Sequence, residues 1–584
     1  MPTTDSVTTG LTMGQLGHRQ TSTAEPSPEG QQRRISWLQA VFTALATILI
    51  LRLAWWQLLP HAEAQLKFEA NQIPAARGSI LDATGHYLVA STAEFTIGVS
   101  PNLLSKNQKA ELVPLLATIL NLPELSVLEA FSSTRPYVAL HPAASMEAAQ
   151  QVANLDAASA FKQTVRFRRV YPNGTLAASV LGFISLNKGE AQYGLEQYYD
   201  KELEGVEGHW YGVYSVLMDP SGYLPAADGA DLVLTLDRNI QHQAEISLAE
   251  GISQTTATAG NIVVLDPRTG AILAMANLPT YRPGRYWEDV TPNDLSPFTN
   301  SSITTAYEPG SVLKPLTLAA ALEERVIDLS FTYDDTGQYD LGPGSRPIRN
   351  WDRRAHGRTT LTQLLAYSLN VGAARVSEKL GPTRFYELMR RFGFSEFTGV
   401  DLALESPGTM RMPGNPYWSM ADLATNSFGQ GMTATPLQVV AAYGAIANGG
   451  LLMKPHIVAE VRDGQTVRVQ QPTVVRRVIS PQTSQQVTQL MIDALEAGLK
   501  KVTLPGYRLA GKSGTAGIPD ISGYENKDVV ASFVGFGPVP DPRFVILVKY
   551  EKPREGYWGG DVAAPAFREL AKYLLDYYGI APNQ

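Results

Sequence analysis

The ten residues "GYRLAGKSGT", 506–515, admit two readings that belong to different folds. Gly506 together with Gly511-Lys512-Ser513 matches G-x-x-x-x-G-K-[ST], the loop that cradles phosphates in nucleotide hydrolases. Read from Lys512 onward, the same stretch is a strand carrying a lysine, a serine and a threonine around one glycine. A phosphate loop must follow a buried strand and open directly into a helix. Residues 516–527, "AGIPDISGYENK", are broken by glycine and proline and carry no helical period. The loop reading fails on context, and the strand reading requires partners elsewhere in the chain.

The first partner is "YEPGSVLKPLTLAAALEERV", Tyr307–Val326. Glu308, Pro309 and Gly310 form a turn, and the apolar run after it is helical, with Pro315 tolerated in the first turn. Ser311 and Lys314, at i and i+3, share one helical face within hydrogen-bond reach. The helix start adds free N–H groups and positive potential, which stabilise a developing oxyanion. The second partner is "TQLLAYSLNVGAARVSEKL", residues 362–380, which places Ser368-Leu369-Asn370 between two helical patterns. One S-x-x-K match is weak, because ordinary composition yields about two in this length. The other match, Ser185–Lys188, lies between Gly182 and Gly189 with no helix to carry it, and Ser105-Lys106-Asn107 is a further decoy. The signal is three motifs in order, each in its required context.

Composition narrows the field. The chain has 584 residues, too many for one core, so several domains are expected. A net charge of −7 argues against nucleic acid as a partner. The absence of cysteine excludes disulfides, a thiol nucleophile and Cys-ligated zinc. The eight histidines show no metal-ligand spacing, so neither metal nor cofactor is expected.

Residues 1–34 are polar and aperiodic and read as a disordered cytoplasmic tail ending in Arg33-Arg34. Ile35–Leu51 is uncharged and spans about 26 Å as a helix. With Arg52 snorkelling and Trp55-Trp56 at the interface, residues 35–59 are expected to form a transmembrane helix. A cleaved signal peptide is the alternative, with "AEA" at Ala62–Ala64. The long tail and long apolar core favour an uncleaved, single-pass anchor with a cytoplasmic N-terminus. Everything beyond residue 60 would then be extracytoplasmic.

Residues 60–230 alternate short strand-like and helical runs without a catalytic cluster, and read as a pedestal. Residues 231–584 open with a strand and a helix from about Arg238. A hairpin follows across Asp266–Gly270, a second turns through Pro538–Pro542, and a helix closes the chain near Val562–Tyr577. The expected class is multi-domain α+β, with the second domain's sheet assembled from distant segments and flanked by helices.

Ser311–Lys314, Ser368–Asn370 and Lys512–Thr515 resemble the active site of penicillin-binding proteins and serine β-lactamases. "RGSILDATGHYLV" from Arg77, "YGLEQYYDKELEGVEG" from Tyr193, "SFGQGMTATPLQVVAAYGAIANGG" from Ser427 and "GGDVAAPAF" from Gly559 resemble class B penicillin-binding proteins, nearest the FtsI-type division transpeptidases. Leu369 and Ser513 are mild departures that leave the functional positions intact. The resemblance implies a pedestal of the dimerisation type and an antiparallel transpeptidase sheet. It also implies peptidoglycan stem peptides as substrate and β-lactams as inhibitors. Ser311 would attack the bond between the terminal D-alanines, with Lys314 as base. Neutralising a lysine at pH 7 costs roughly 4 kcal/mol, which burial and the nearby Lys512 would supply. Ser368 would relay the proton and Asn370 would hold the acyl side's amide. Lys512, Ser513, Gly514 and Thr515 would form the carboxylate-binding strand, and the backbone N–H groups of Ser311 and Thr515 the oxyanion hole. An FtsW-type membrane glycosyltransferase and other division proteins are the implied partners, at the septum. An elongation-type transpeptidase and a non-catalytic scaffold for a glycan polymerase remain alternatives. A β-lactamase lacks its deacylating carboxylate here, since no E-x-x-L-N element lies between Asn370 and Lys512.

Overall fold

The computed structural model describes residues 28–58, 71–187, 189–210, 223–342, 346–519 and 528–582. Residues 71–210 and 219–584 form one compact unit, and the N-terminal helix is described by itself. That helix runs Pro28–Leu58. It starts inside the tail expected over residues 1–34, because Pro28 is preorganised for a first helical turn and the glutamines and arginines after Gly30 propagate it. The rest of that tail lies outside the described residues. Side chains on this helix are described from residue 36 to residue 52, so the ends of the expected span 35–59, Trp55 and Trp56 included, lie outside them. Among the described residues no helix is long and apolar enough to cross a membrane. Trp37, Leu38, Phe42, Leu45 and Ile48–Leu51 are all exposed.

Five strands form an antiparallel sheet in the order Ile272–Leu278, Ala259–Leu265, Phe544–Glu551, Val529–Gly537 and Ala510–Gly517. Both hairpins read from the sequence lie in it. Each face is covered, so the inner strands are nearly continuous apolar runs whose alternate residues go to opposite cores. Ile262, Val264, Ile546 and Val548 pack on one side with Ile240 and Leu248 of the helix Arg238–Thr255 and with Phe567 and Leu570 of the helix Ala564–Tyr577. Val263, Leu265, Val545 and Leu547 pack on the other side with Val312, Leu316, Val440 and Tyr443. The helix Arg238–Thr255 begins where expected because Asp237 caps it, accepting from Asn239 N at 2.8 Å and Ile240 N at 3.3 Å.

A second, seven-stranded sheet holds Tyr87–Val99, Val138–Ala144 and Phe161–Val170. It also takes in Asp231–Leu234, which pairs in parallel with Ile80–Leu81, and the hairpin Val458–Asp463 with Thr466–Val469. The sheet therefore crosses the sequence position 230/231. Between its elements sits a buried ion pair: Glu196, fully buried, bonds Arg77 Nε at 2.6 Å and Arg169 Nε at 2.7 Å. Removing one partner would strand a buried charge.

Candidate active site

Ser311 sits not in an α-helix but in a short 3₁₀ turn, Gly310–Leu313, which hands over to the α-helix Lys314–Glu323 with Pro315 in its first turn. The turn needs glycine. Gly310 has φ +62°, and a Cβ there would lie 3.1 Å from both Thr515 O and Ala516 Cβ. Gly429 presses on it from the other side, with Gly310 N donating to Gly429 O at 2.9 Å.

Thr360 and Gln363 form a capping box that starts the helix Leu361–Ala366. Ser368 then breaks the helix with φ +56°, and Leu369 N–H donates back to Leu364 O at 3.0 Å. The middle residue of this S-x-N motif is Leu369, which is fully buried and pins the loop to the core. Asn370 opens the next helix, Asn370–Leu380.

The two segments meet at Lys314, which is fully buried. Its Nζ lies 2.9 Å from Ser311 Oγ, 3.1 Å from Ser368 Oγ, 2.6 Å from Ser368 O and 2.9 Å from Asn370 Oδ1. The Asn370 amide is oriented by its own Nδ2, which donates to Arg349 O at 3.0 Å. Two of the four neighbours of Nζ, a carbonyl and an amide oxygen, can only accept. A neutral amine gives its two N–H groups to those oxygens and turns its lone pair toward the hydroxyls. Burial, and next the charge of Lys512, hold the Lys314 pKa well below the ordinary lysine value.

Lys512 lies on the edge strand Ala510–Gly517, where the phosphate-loop reading would have required a loop and a helix. Its Nζ donates to Ser513 O at 2.9 Å and lies 3.1 Å from Ser368 Oγ. Ser368 Oγ thus stands between two lysines at the same distance. Burial pushes the Lys512 pKa down to about 7. Gly514 is glycine for a packing reason: a Cβ would come 2.5 Å from Ser532 Oγ, 2.9 Å from Val312 Cγ1 and 3.0 Å from Pro309 O. Without that close approach, the turn carrying Ser311 could not rest on the strand. Thr515 Oγ1 accepts from Gly559 N at 3.0 Å, which draws the start of the "GGDVAAPAF" segment to the strand.

Ser311, Ser368, Asn370, Ser513 and Thr515 line one cleft of about 620 Å³. A larger groove of about 760 Å³ beside Glu323 and Ser480 contains none of the motif residues. Trp351, Tyr367, Phe428, Gln430, Tyr557 and Trp558 also line the cleft that holds the motif residues, and none of them was among the expected site residues. Trp558 packs edge-on against Trp351 at 4.8 Å and against Tyr557 at 4.9 Å. The one available signal was a pair of large aromatics between glycines, Gly556-Tyr557-Trp558-Gly559. The decoys lie elsewhere. Ser105 caps the helix Lys106–Leu120 in a capping box with Gln108. Ser185 N donates to Glu190 O in a turn, and its partner Lys188 lies outside the described residues.

The family model for the penicillin binding protein transpeptidase domain matches residues 260–572, more than half of the chain. The chain belongs to the penicillin-binding protein transpeptidase family. A model for the penicillin-binding protein dimerisation domain matches residues 72–216. Stage V sporulation protein D of Bacillus subtilis is 32% identical over 526 residues, covering 87% of this chain and 79% of that protein. A probable peptidoglycan D,D-transpeptidase, PbpC, of Pseudomonas aeruginosa is 29% identical, covering 88% of each chain. The crystal structure of penicillin-binding protein 3 from Mycobacterium tuberculosis complexed with aztreonam is 26% identical. It superposes with a TM-score of 0.68 over 88% of this chain and 98% of that one. This penicillin-binding protein is of class B and FtsI type, and its activity is that of a serine-type peptidoglycan D,D-transpeptidase.

Proposed function

We propose that Ser311 is the nucleophile and Lys314 its base, and that the enzyme cross-links stem peptides at the division septum. The observation that carries the catalytic assignment is the environment of Lys314 Nζ, fully buried, 2.9 Å from Ser311 Oγ and beside two acceptor-only oxygens that can take both N–H groups of a neutral amine. Lys314 takes the Ser311 proton as Oγ attacks the carbonyl between the terminal D-alanines. The oxyanion faces the backbone N–H groups of Ser311 and Thr515. As the tetrahedral intermediate collapses, the proton passes through Ser368 Oγ, between Lys314 and Lys512, to the departing D-alanine amine. Asn370 holds the amide of the acyl side. Lys512, Ser513 and Thr515 bind the terminal carboxylate beside the close-packed Gly514. An amine of a neighbouring stem then attacks the ester, which forms the cross-link and returns the proton to Ser311.

We propose residues 35–59 as the anchor, supported by the exposed apolar side chains from Trp37 to Leu51 and by Arg33-Arg34 before them. The catalytic unit then works outside the cytoplasm, beside an FtsW-type glycan polymerase. The septal placement rests on the likeness of the stretches from Arg77, Tyr193, Ser427 and Gly559 to FtsI-type enzymes. Purified enzyme should release D-alanine from a stem pentapeptide, and Ser311→Ala should release none. Depletion should give filaments with blocked septa, whereas rounded or swollen cells would place the enzyme in elongation.

A further inference from the structure

The cleft lined by Ser311 also takes in Trp351 and Trp558 and, with them, Gly498, Leu499, Gly560 and Asp561. Asp561 is the one charged side chain among the described residues lining it. It is not alone: Lys501 Nζ lies 2.5 Å from Asp561 Oδ1, and both side chains are about half exposed, at 51% and 58%. Lys501 belongs to the 3₁₀ turn Lys500–Val502 after the helix Pro481–Gly498, and Asp561 to the helix Gly559–Val562 that Thr515 draws to the strand. An ion pair this exposed contributes little to stability, so its charges are available to a ligand.

We propose that Asp561 and Lys501 read the charged end of the diamino-acid side chain of the stem peptide. The proposal rests on the acyl-enzyme reading above. In a stem peptide the diamino acid directly precedes the D-alanine that acylates the serine. Its Cα lies about 3.8 Å from that alanine's Cα, so its side chain enters the same cleft. Leu499 and the aromatic pair Trp351–Trp558 offer apolar walls for its methylenes, and the one charged residue among the described residues lining the cleft, Asp561, is paired with Lys501. A lysine-type side chain ends in an ammonium, which suits Asp561 but meets the like charge of Lys501. A diaminopimelate-type side chain ends in an ammonium and a carboxylate on one carbon, and it matches the pair charge for charge. The pair therefore selects the zwitterionic side chain.

The test uses the full-length enzyme in detergent and three pentapeptides, L-Ala-γ-D-Glu-X-D-Ala-D-Ala, with X as meso-diaminopimelate, lysine or uncharged norleucine. D-alanine release gives kcat and KM for each, and labelling with fluorescent benzylpenicillin reports acylation separately. We expect diaminopimelate to exceed norleucine about tenfold in kcat/KM, through KM, with lysine between them. Asp561→Asn should collapse that ratio to below about 2, while Lys501→Gln should bring diaminopimelate down to the lysine value. Equal use of the three peptides by wild-type enzyme, a separate sample of which takes the benzylpenicillin label, overturns the proposal and leaves the acyl-enzyme reading standing. So do variants that lower all three peptides alike. Wild-type enzyme that takes no benzylpenicillin label overturns both.

Discussion

Lys314 Nζ lies 2.9 Å from Ser311 Oγ although the two residues belong to different helical forms, a 3₁₀ turn and the α-helix that continues it. The change of helix places the hydroxyl at the edge of the cleft and buries the amine completely, so burial falls on Lys314 and not on Ser311. Replacing Lys314 separates a base from a mere positive charge. Arginine stays protonated in proteins and cannot accept the serine proton. We expect both Lys314→Met and Lys314→Arg to slow acylation by benzylpenicillin by about 10²–10⁴-fold. A stopped-flow acylation rate for Lys314→Arg near the wild-type value would remove the general-base role.

In the proposed mechanism we expect the two lysines to set opposite limbs of the pH profile. As the proposed base, Lys314 must be deprotonated to accept a proton, so we expect the rate to rise with pH through its lowered pKa. As the proposed carboxylate binder, Lys512 must be protonated, and burial pushes its pKa down to about 7, so we expect kcat/KM to fall as pH rises through that region. The two limbs belong to the coupled pair and not to either residue alone. Lys512→Arg should remove the alkaline limb. An alkaline limb that survives this substitution would show that another group sets it.

Gly429 is the mechanical support of the serine turn. It has φ +79°, and a Cβ there would lie 2.2 Å from Gly310 O and 2.5 Å from Gly310 N. Gly429→Ala combines left-handed strain with a backbone clash, and we expect a loss of about 2 kcal/mol or more in stability. Thermal unfolding should show a lowered Tm, with slowed acylation in the fraction that remains folded. A variant with unchanged Tm would mean that the turn can shift freely.

Why the three motifs were legible and their surroundings were not follows from where the information lies. Ser311, Lys314, Ser368, Asn370 and Lys512 are specified by side-chain chemistry, and a single residue type at a short spacing expresses it. The two hairpins and the helix start near Arg238 are equally local. By contrast, the aromatic rim joins Trp351 to Trp558 across more than a third of the chain, and nothing near either residue signals the contact. The same holds for the seven-stranded sheet, where Leu232 pairs with Ile80 and with Val461. Apolar strands of this kind look alike wherever their partners are. Ser368 was found as a hydroxyl, but its left-handed backbone was not, because an S-x-N motif states no φ.

Topology is open to a direct assay. A reporter enzyme active only in the cytoplasm, fused after Gln584, should be silent, and one active only outside should work. The proposed orientation rests on the basic pair Arg33-Arg34 before the apolar run. A working cytoplasmic reporter would invert the membrane assignment.

The central claim is that Ser311 becomes the acyl-enzyme, and mass spectrometry of the benzylpenicillin-treated protein tests it most directly. We expect one covalent penicilloyl group per chain, mapped to the peptide that carries Ser311, and none on Ser311→Ala. An adduct on another residue, such as Ser185, or an adduct that persists in Ser311→Ala, would contradict the account.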